Sequence, residues 1–301
     1  MKLLPEFTLS GETFGVIESL YEKYLDELTS LTREMSELLS SGIFEGNPGT
    51  YDIEGELYYL LCRETGARTI LEMASSNGWS TLYLALAAAK NANGAVIHSF
   101  ELDPKSVLRF RKNVSARFPF VVMHEGDCRK EFLKLSLQDS GEFDFVLLDV
   151  HPKDFPQFAF KHILPRASGI ISIHDLLPDQ YPRNHPETVF FLWLLLRGGI
   201  PFLPIAALLE HEGIQRLRKD LTPRRDHLLR GPRPSAAKGI LLSAPGAQWQ
   251  GPLWDKLTAV TYDQFPPRGL EQYTDIPERF FNVSHREFVK ECFRRLWRGG
   301  R

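Results

Sequence analysis

Apolar positions recur at three- and four-residue steps between residues 13 and 39: Phe14, Ile17, Leu20, Tyr21, Tyr24, Leu28, Leu31, Met35 and Leu38. The opposite side of that spacing is charged. The pattern predicts one long amphipathic helix. Its stripe must be buried either on the core domain or on a second subunit, so a homodimer is one of its two readings. A loop with Gly46, Pro48 and Gly49 follows, and a second helix is predicted from about Asp52, a plausible N-cap. The pattern then changes. Short apolar runs near 69–73, 95–100, 120–124, 143–149 and 168–174 alternate with helical stretches near 79–90, 104–117, 128–137 and 155–163. Continuous apolar strands alternating with helices predict an α/β fold, a Rossmann-like, doubly wound, mostly parallel sheet covered on both faces. No internal repeat of fixed period is visible.

Beyond Asp175 the regularity weakens. A helix is predicted from about Glu187 to Arg197, after Pro186. Residues 216–238 carry eight Lys or Arg against two Asp, together with Pro223, Pro232 and Pro234, and read as a basic loop. Gly239–Ser243 reads as a further strand. Ser284-His285-Arg286-Glu287 is a capping-box pattern opening a last helix with Phe288, Val289, Cys292, Phe293, Leu296 and Trp297 on one face. The chain therefore divides into an N-terminal helical arm at 1–50, a core at 51–180, and a C-terminal extension at 181–301 that completes the sheet and contributes to an acceptor site or a subunit interface.

Composition narrows the function classes. With 301 residues, 43% hydrophobic and 25% charged, the chain is an ordinary globular protein. A formal net charge of −2 gives no overall pull toward nucleic acid. Cys62, Cys128 and Cys292 lie far apart without zinc spacing, which suits a reduced, cytoplasmic setting. Pro5 and Glu6 interrupt the first residues, so no signal-peptide core is expected. The longest apolar stretch, Val189–Leu196, is too short to span a bilayer.

The candidate chemistry sits where the strands are predicted to end, because ligands of doubly wound sheets bind there. The first strand leads into the small-residue turn Ala74-Ser75-Ser76-Asn77-Gly78. The others end at Glu101, at Glu125-Gly126-Asp127, at Asp149-Val150-His151, and at His174-Asp175. Any one acidic residue in such a place is as readily a helix cap; the set together marks a ligand crevice. Glu101 follows Gly78 by 23 residues, and a carboxylate there can accept hydrogen bonds from both hydroxyls of a ribose. The turn has Ala74 and Ser76 where a dinucleotide site favours glycine, which points to a smaller nucleoside cofactor.

Gly55, Leu57, Leu71-Glu72-Met73-Ala74, Gly78-Trp79-Ser80-Thr81, Glu101, Gly126-Asp127 and the run Phe143 to Asp149 together resemble a class I S-adenosylmethionine-dependent methyltransferase. Within that class they are most similar to the metal-dependent O-methyltransferases of the catechol and caffeoyl-CoA type, and His174-Asp175 resembles a related His-Asp branch. The resemblance covers about residues 50–176. It implies that Glu72, the Ala74–Gly78 backbone and Ser80 hold the methionine end of the cofactor, and that Glu101 holds the ribose. It places Asp127, with Cys128 beside it, at the adenine. It puts Asp149 at the transfer site, with Asp149, His174 and Asp175 where the family binds a divalent ion (magnesium, manganese or zinc). His174 departs from the family's oxygen ligands, and imidazole suits zinc better than magnesium.

The resemblance also implies a lysine base shortly after Asp149, where this chain has Pro152 between His151 and Lys153. His151 is then the candidate base. Three accounts of His174 stand side by side: metal ligand, general base, or cap of the following segment. The expected activity is methylation of a small-molecule hydroxyl. The alternatives are an RNA methyltransferase using 216–238 and a cofactor-binding module without turnover. Neither an Asn/Asp-Pro-Pro-Tyr run nor a cysteine follows the fourth strand, so nucleic acid is the minor reading.

Overall fold

Five short runs of apolar residues pair side by side in a computed structural model of the chain. It describes residues 11–138 and 141–174 apart from 47, 51 and 153, and also Phe191, Leu194, 203–208, 211–221 and 239–243. The strands are β1 (Thr69–Met73), β2 (Val96–Glu101), β3 (Val121–Glu125), β4 (Phe143–Leu148) and β5 (Ala167–Ile173), all parallel, joined by β6 (Leu203–Pro204) and β7 (Ile240–Ser243). The order is β3-β2-β1-β4-β5-β7-β6, with β7 antiparallel to both its neighbours. This is the doubly wound order with one antiparallel strand inserted before the last, and its switch point lies between β1 and β4. The strands are apolar on both faces because helices cover both: Ile70, Leu71, Met73, Phe145, Val146, Leu147 and Leu148 are all buried.

The helices are α1 (Gly11–Lys23), α2 (Leu25–Ser40), α3 (Asp52–Thr65), α4 (Trp79–Asn91), α5 (Pro104–Phe110), α6 (Cys128–Gln138), α7 (Phe155–Phe158), α8 (Ile205–Leu208) and α9 (Glu212–Leu221). The predicted single helix 13–39 is two. Tyr24 leaves the helical region at φ −111°, ψ 19°. Its hydroxyl donates to Glu64 at 2.9 Å, and its ring lies against Lys23 and Arg63. The break costs one residue, so the apolar spacing runs on almost unchanged through it. Asp52 is the first residue of α3, inside the helix and buried.

Helix 104–117 is also shorter than its pattern. α5 ends at Phe110 and Arg111–Ser115 widens into a π turn. Such a turn inserts an extra residue and re-aims a side chain. Here it aims the Asn113 amide at the Asn77 carbonyl, 2.9 Å, and at the Glu45 backbone, whose N–H donates to Asn113 Oδ1 at 3.0 Å. The loop before α3 is thereby tied to the turn after β1. The stretch 155–163 divides likewise, into α7 and a π turn at Ala159–Ile163. Of the helix predicted at 187–197 only Phe191 and Leu194 are described, both helical; the one predicted at 284–297 and most of the basic segment, 222–238, lie outside the described residues, and Arg216–Leu221 closes α9.

Candidate functional site

Register places the site. Met73 pairs with Phe100 on one side and Leu148 on the other, and Leu148 pairs with Ile173. The strand ends are level, so the residues that follow them stand along one edge of the sheet. The ladder runs one step further: Asp149 N–H donates to Met73 O at 3.2 Å, His174 N–H to Leu148 O at 2.8 Å, and Ser75 N–H to Phe100 O at 3.0 Å. A crevice opens there, lined by Thr50, Tyr58, Glu72, Met73, Ala74, Ser80, Leu147, Asp149 and His174.

The turn after β1 is wound through left-handed backbone at Ala74 (φ 63°), Ser76 (φ 50°) and Gly78 (φ 88°). Two non-glycine residues in that region are costly unless the surroundings hold them. Glu101 does this from the next strand: one carboxylate oxygen accepts from Ser76 N–H at 2.7 Å, the other from Leu102 and Asp103 N–H at 2.9 and 2.8 Å. The carboxylate that the sequence assigns to a ribose thus also fixes the turn that faces it. Ser75 and Asn77 are buried within the turn, while Ser76 is exposed.

Glu72 lines the crevice, yet both its oxygens are engaged. Ser80 and Thr81 donate to them at 2.5 Å each, and Ser99 at 2.8 Å. Burial pushes its carboxyl pKa up, against the three hydroxyls that lower it. It clamps β1, α4 and β2 together at the floor of the site. Asp127 is held by Arg129, which donates through Nε at 3.0 Å and Nη2 at 2.8 Å, and this pairing lowers its carboxyl pKa to about 2. Arg129 also pairs with Asp154. Burial pushes the neighbouring Cys128 thiol up to about 11.

Three residues singled out from the sequence meet at the heads of β4 and β5. His174 Nδ1 faces Asp149 Oδ1 at 3.2 Å, and His151 Nε2 faces the same oxygen at 3.4 Å. A residue that the sequence reading missed completes the group. Glu54, on α3 and fully buried, faces His174 Nε2 at 3.0 Å, and its other oxygen accepts from Gly239 N–H at 2.9 Å. A Cβ on Gly239 would run into that carboxylate and Ile205, so glycine there permits the approach. The signal for Glu54 was available: α3 buries Asp52, Glu54 and Glu56 just before the apolar run Leu57–Cys62, and buried carboxylates require partners. Burial opposes charge on His174, but Glu54 and Asp149 outweigh it and raise the imidazole well above its ordinary value. Burial likewise opposes charge on Asp149, and the two histidines outweigh it, holding the carboxyl well below its ordinary value.

A metal-bound imidazole presents one nitrogen lone pair to the ion and commonly donates from the other nitrogen to a carboxylate; His174 Nε2 is hydrogen-bonded to Glu54, and its Nδ1 lies 3.2 Å from Asp149 Oδ1. No group of three or more His, Cys, Asp or Glu among the described residues is arranged to hold a metal. Asp175 and Lys153 lie outside the described residues.

Residues 71–176 match the family model Methyltransf_24, described as a methyltransferase domain. No curated protein matches the chain. Among solved structures, an O-methyltransferase from Bacillus cereus in complex with S-adenosylhomocysteine is 18% identical, covering 74% of this chain and 90% of that one, TM-score 0.45. An O-methyltransferase of tomaymycin synthesis from Streptomyces achromogenes is 17% identical over 71% and 88%, TM-score 0.42. A Podospora anserina methyltransferase is 19% identical over 81% and 98%, TM-score 0.41.

Proposed function

We propose that this chain, whose residues 71–176 are a methyltransferase domain, transfers a methyl group from S-adenosylmethionine to a hydroxyl of a small molecule. The observation that carries the reading is the acidic crevice at the switch point between β1 and β4, with Asp149 and His174 on its wall and Glu101 at the head of the adjacent β2. Its chemistry fits the cofactor. A sulfonium is a cation with an electrophilic methyl group, and a crevice edged by carboxylates attracts it.

The roles of this chain's residues follow. The Ala74–Gly78 turn receives the methionine end, with Glu72 and Ser80 keeping it in shape. Glu101 takes the ribose hydroxyls. Asp127 and Cys128 flank the base. Asp149 is held ionised by His174, and it orients His151 by taking its Nε2–H. His151 then receives the acceptor's proton as a carboxylate-oriented histidine base. The His151 side chain is 39% exposed and that of His174 only 6%, so His151 is the one an acceptor reaches. As the acceptor oxygen bonds to the methyl carbon, the carbon–sulfur bond breaks, sulfur keeps the electron pair, and the hydroxyl proton passes to His151.

The arm at 1–50 and the extension at 181–301 supply the acceptor pocket in this reading. Dimerisation and a cytoplasmic setting remain parts of the proposal. Cys62 and Cys128 are free thiols, and no helix among the described residues is long and apolar enough to cross a membrane. Isothermal calorimetry with S-adenosylhomocysteine, followed by mass spectrometry of a panel of phenols, catechols and alcohols, tests it. Binding with transfer to a hydroxyl supports the reading; absence of binding at high micromolar cofactor product ends it.

A further inference from the structure

Arg129, on the first turn of α6, joins the loop after β3 to the loop after β4. These strands are not neighbours, since β2 and β1 lie between them, so only their loops can meet. Gly126 N–H donates to Glu101 O at 2.9 Å, which sets Asp127 beside the proposed ribose site. Asp127 caps α6: its Oδ1 accepts from Arg129 N–H at 3.0 Å. The Arg129 side chain folds back on the same carboxylate, Nε to Oδ1 at 3.0 Å and Nη2 to Oδ2 at 2.8 Å. A carboxylate has about four acceptor positions, and among the described residues Arg129 leaves one of them open, on Oδ2. The remaining arm, Nη1, donates to Asp154. Asp154 stands at the N-cap of α7 but makes no side-chain cap bond there; its carboxylate goes to Arg129 instead. The turn that holds Asp154 is closed by Phe155 N–H donating to Pro152 O at 2.9 Å, and Pro152 follows His151 directly.

We propose that Arg129 is a positioning residue that holds the turn after His151 against the adenine end of the crevice, so that cofactor binding at Asp127 also sets the place of the base. The inference rests on the methyltransferase reading. Arg129 acts through its two carboxylates and touches neither the acceptor nor the methyl group. The adenine amino group donates to the open position on Asp127 Oδ2 and fixes that carboxylate. The planar guanidinium then fixes Asp154 relative to Asp127, which a lysine, a point charge on a flexible stem, does not do. The Asp154 side chain is 65% exposed, and an exposed ion pair adds little to stability. Its value here is geometric. A base works only within hydrogen-bond reach of its proton, and a displacement of about 1 Å can lower a rate by about 10²-fold.

The test is hydrogen exchange on the full chain, with and without saturating S-adenosylhomocysteine. In the unmutated chain the ligand should slow exchange in the peptide spanning 152–158 as well as in the 74–78 turn. Asp154→Ala should change S-adenosylhomocysteine affinity by at most about twofold. It should keep the slowing at 74–78 and lose it at 152–158, and Asp154→Glu, which keeps the charge, should restore part of it. Arg129→Lys should lose it as Asp154→Ala does. With the hydroxyl acceptor that the screen returns, Asp154→Ala should lower kcat by about tenfold or more at an unchanged KM for S-adenosylmethionine. A merely structural role would raise exchange at 152–158 in the free variants and preserve the slowing on binding. That result, or a raised cofactor KM at unchanged kcat, overturns the proposal. Should Arg129→Lys fail to fold, the two Asp154 variants decide. Absence of S-adenosylhomocysteine binding by the unmutated chain in calorimetry ends the methyltransferase reading and the proposal with it; binding without slowing at 152–158 ends the proposal alone.

Discussion

Glu101 does two things with one carboxylate, and that sets what its loss should cost. It pins Ser76 in left-handed backbone and, in the proposed complex, accepts from the ribose. Hydrogen bonds to a charged group are worth about 1.5–3 kcal/mol. Glu101→Ala should therefore weaken S-adenosylhomocysteine binding roughly tenfold to a hundredfold, read by calorimetry. His151 should behave in the opposite way. His151→Ala leaves cofactor binding as it was and lowers the transfer rate by about 10²- to 10⁴-fold, the usual range for removing a general base. The measurement is label transfer from S-adenosylmethionine to the hydroxyl acceptor that the screen returns. A loss of cofactor affinity in His151→Ala would move it from base to binding residue.

At the scale of elements, α3 is the piece on which the others converge. It packs on α4, and Gly55 makes that possible: a Cβ there would overlap the Tyr83 ring. Gly55→Ala should cost about 1–3 kcal/mol by forced overpacking, seen as a lower urea midpoint with an unchanged slope. α2 is bound to α3 by Glu27, which accepts from Arg63 Nε at 2.8 Å, Arg63 Nη2 at 2.9 Å and Tyr59 Oη at 2.6 Å. The Arg63 hydrogen bonds lower the Glu27 carboxyl from its ordinary 4.5 to about 2. A carboxyl with a depressed folded-state pKa contributes stability that is fully present above its unfolded value and fades as pH falls. The melting temperature should accordingly drop as pH is lowered from about 4.5 toward about 2, and drop less in Glu27→Gln over the same window.

Across the whole molecule, contacts far apart in sequence join α1 and α9 to α3. Arg218 on α9 donates to Glu56 on α3 at 2.7 Å, and Tyr21 on α1 donates to the same oxygen at 2.7 Å. Glu56 is fully buried and the Arg218 side chain is 18% exposed. Removing one partner of a buried ion pair costs about 3–5 kcal/mol, because the other charge is left behind. Arg218→Ala should show a loss of that size in urea unfolding, and Glu56→Gln in the same background should recover part of it. Full additivity of the two changes would mean that they are not coupled.

Local patterning carried the β1–β5 alternation, the small-residue turn and the acidic strand ends, because strand and helix periods and turn chemistry are properties of neighbouring residues. From these the crevice and Glu101, Asp149, His151 and His174 were already nameable. The break at Tyr24 and the π turn at 111–115 were not. Each shifts the chain by about a residue and leaves the apolar spacing nearly intact; its cause lies in partners such as Glu64 and Asn77, far off in sequence. Glu54 was hidden for the same reason. A carboxylate in an apolar helix announces only that it has a partner, and the partner lies 120 residues away. Which carboxylates face the two His174 ring nitrogens was decided only by the tertiary structure, because Glu54 reaches the ring from α3 and is held there by the Gly239 N–H at the start of β7.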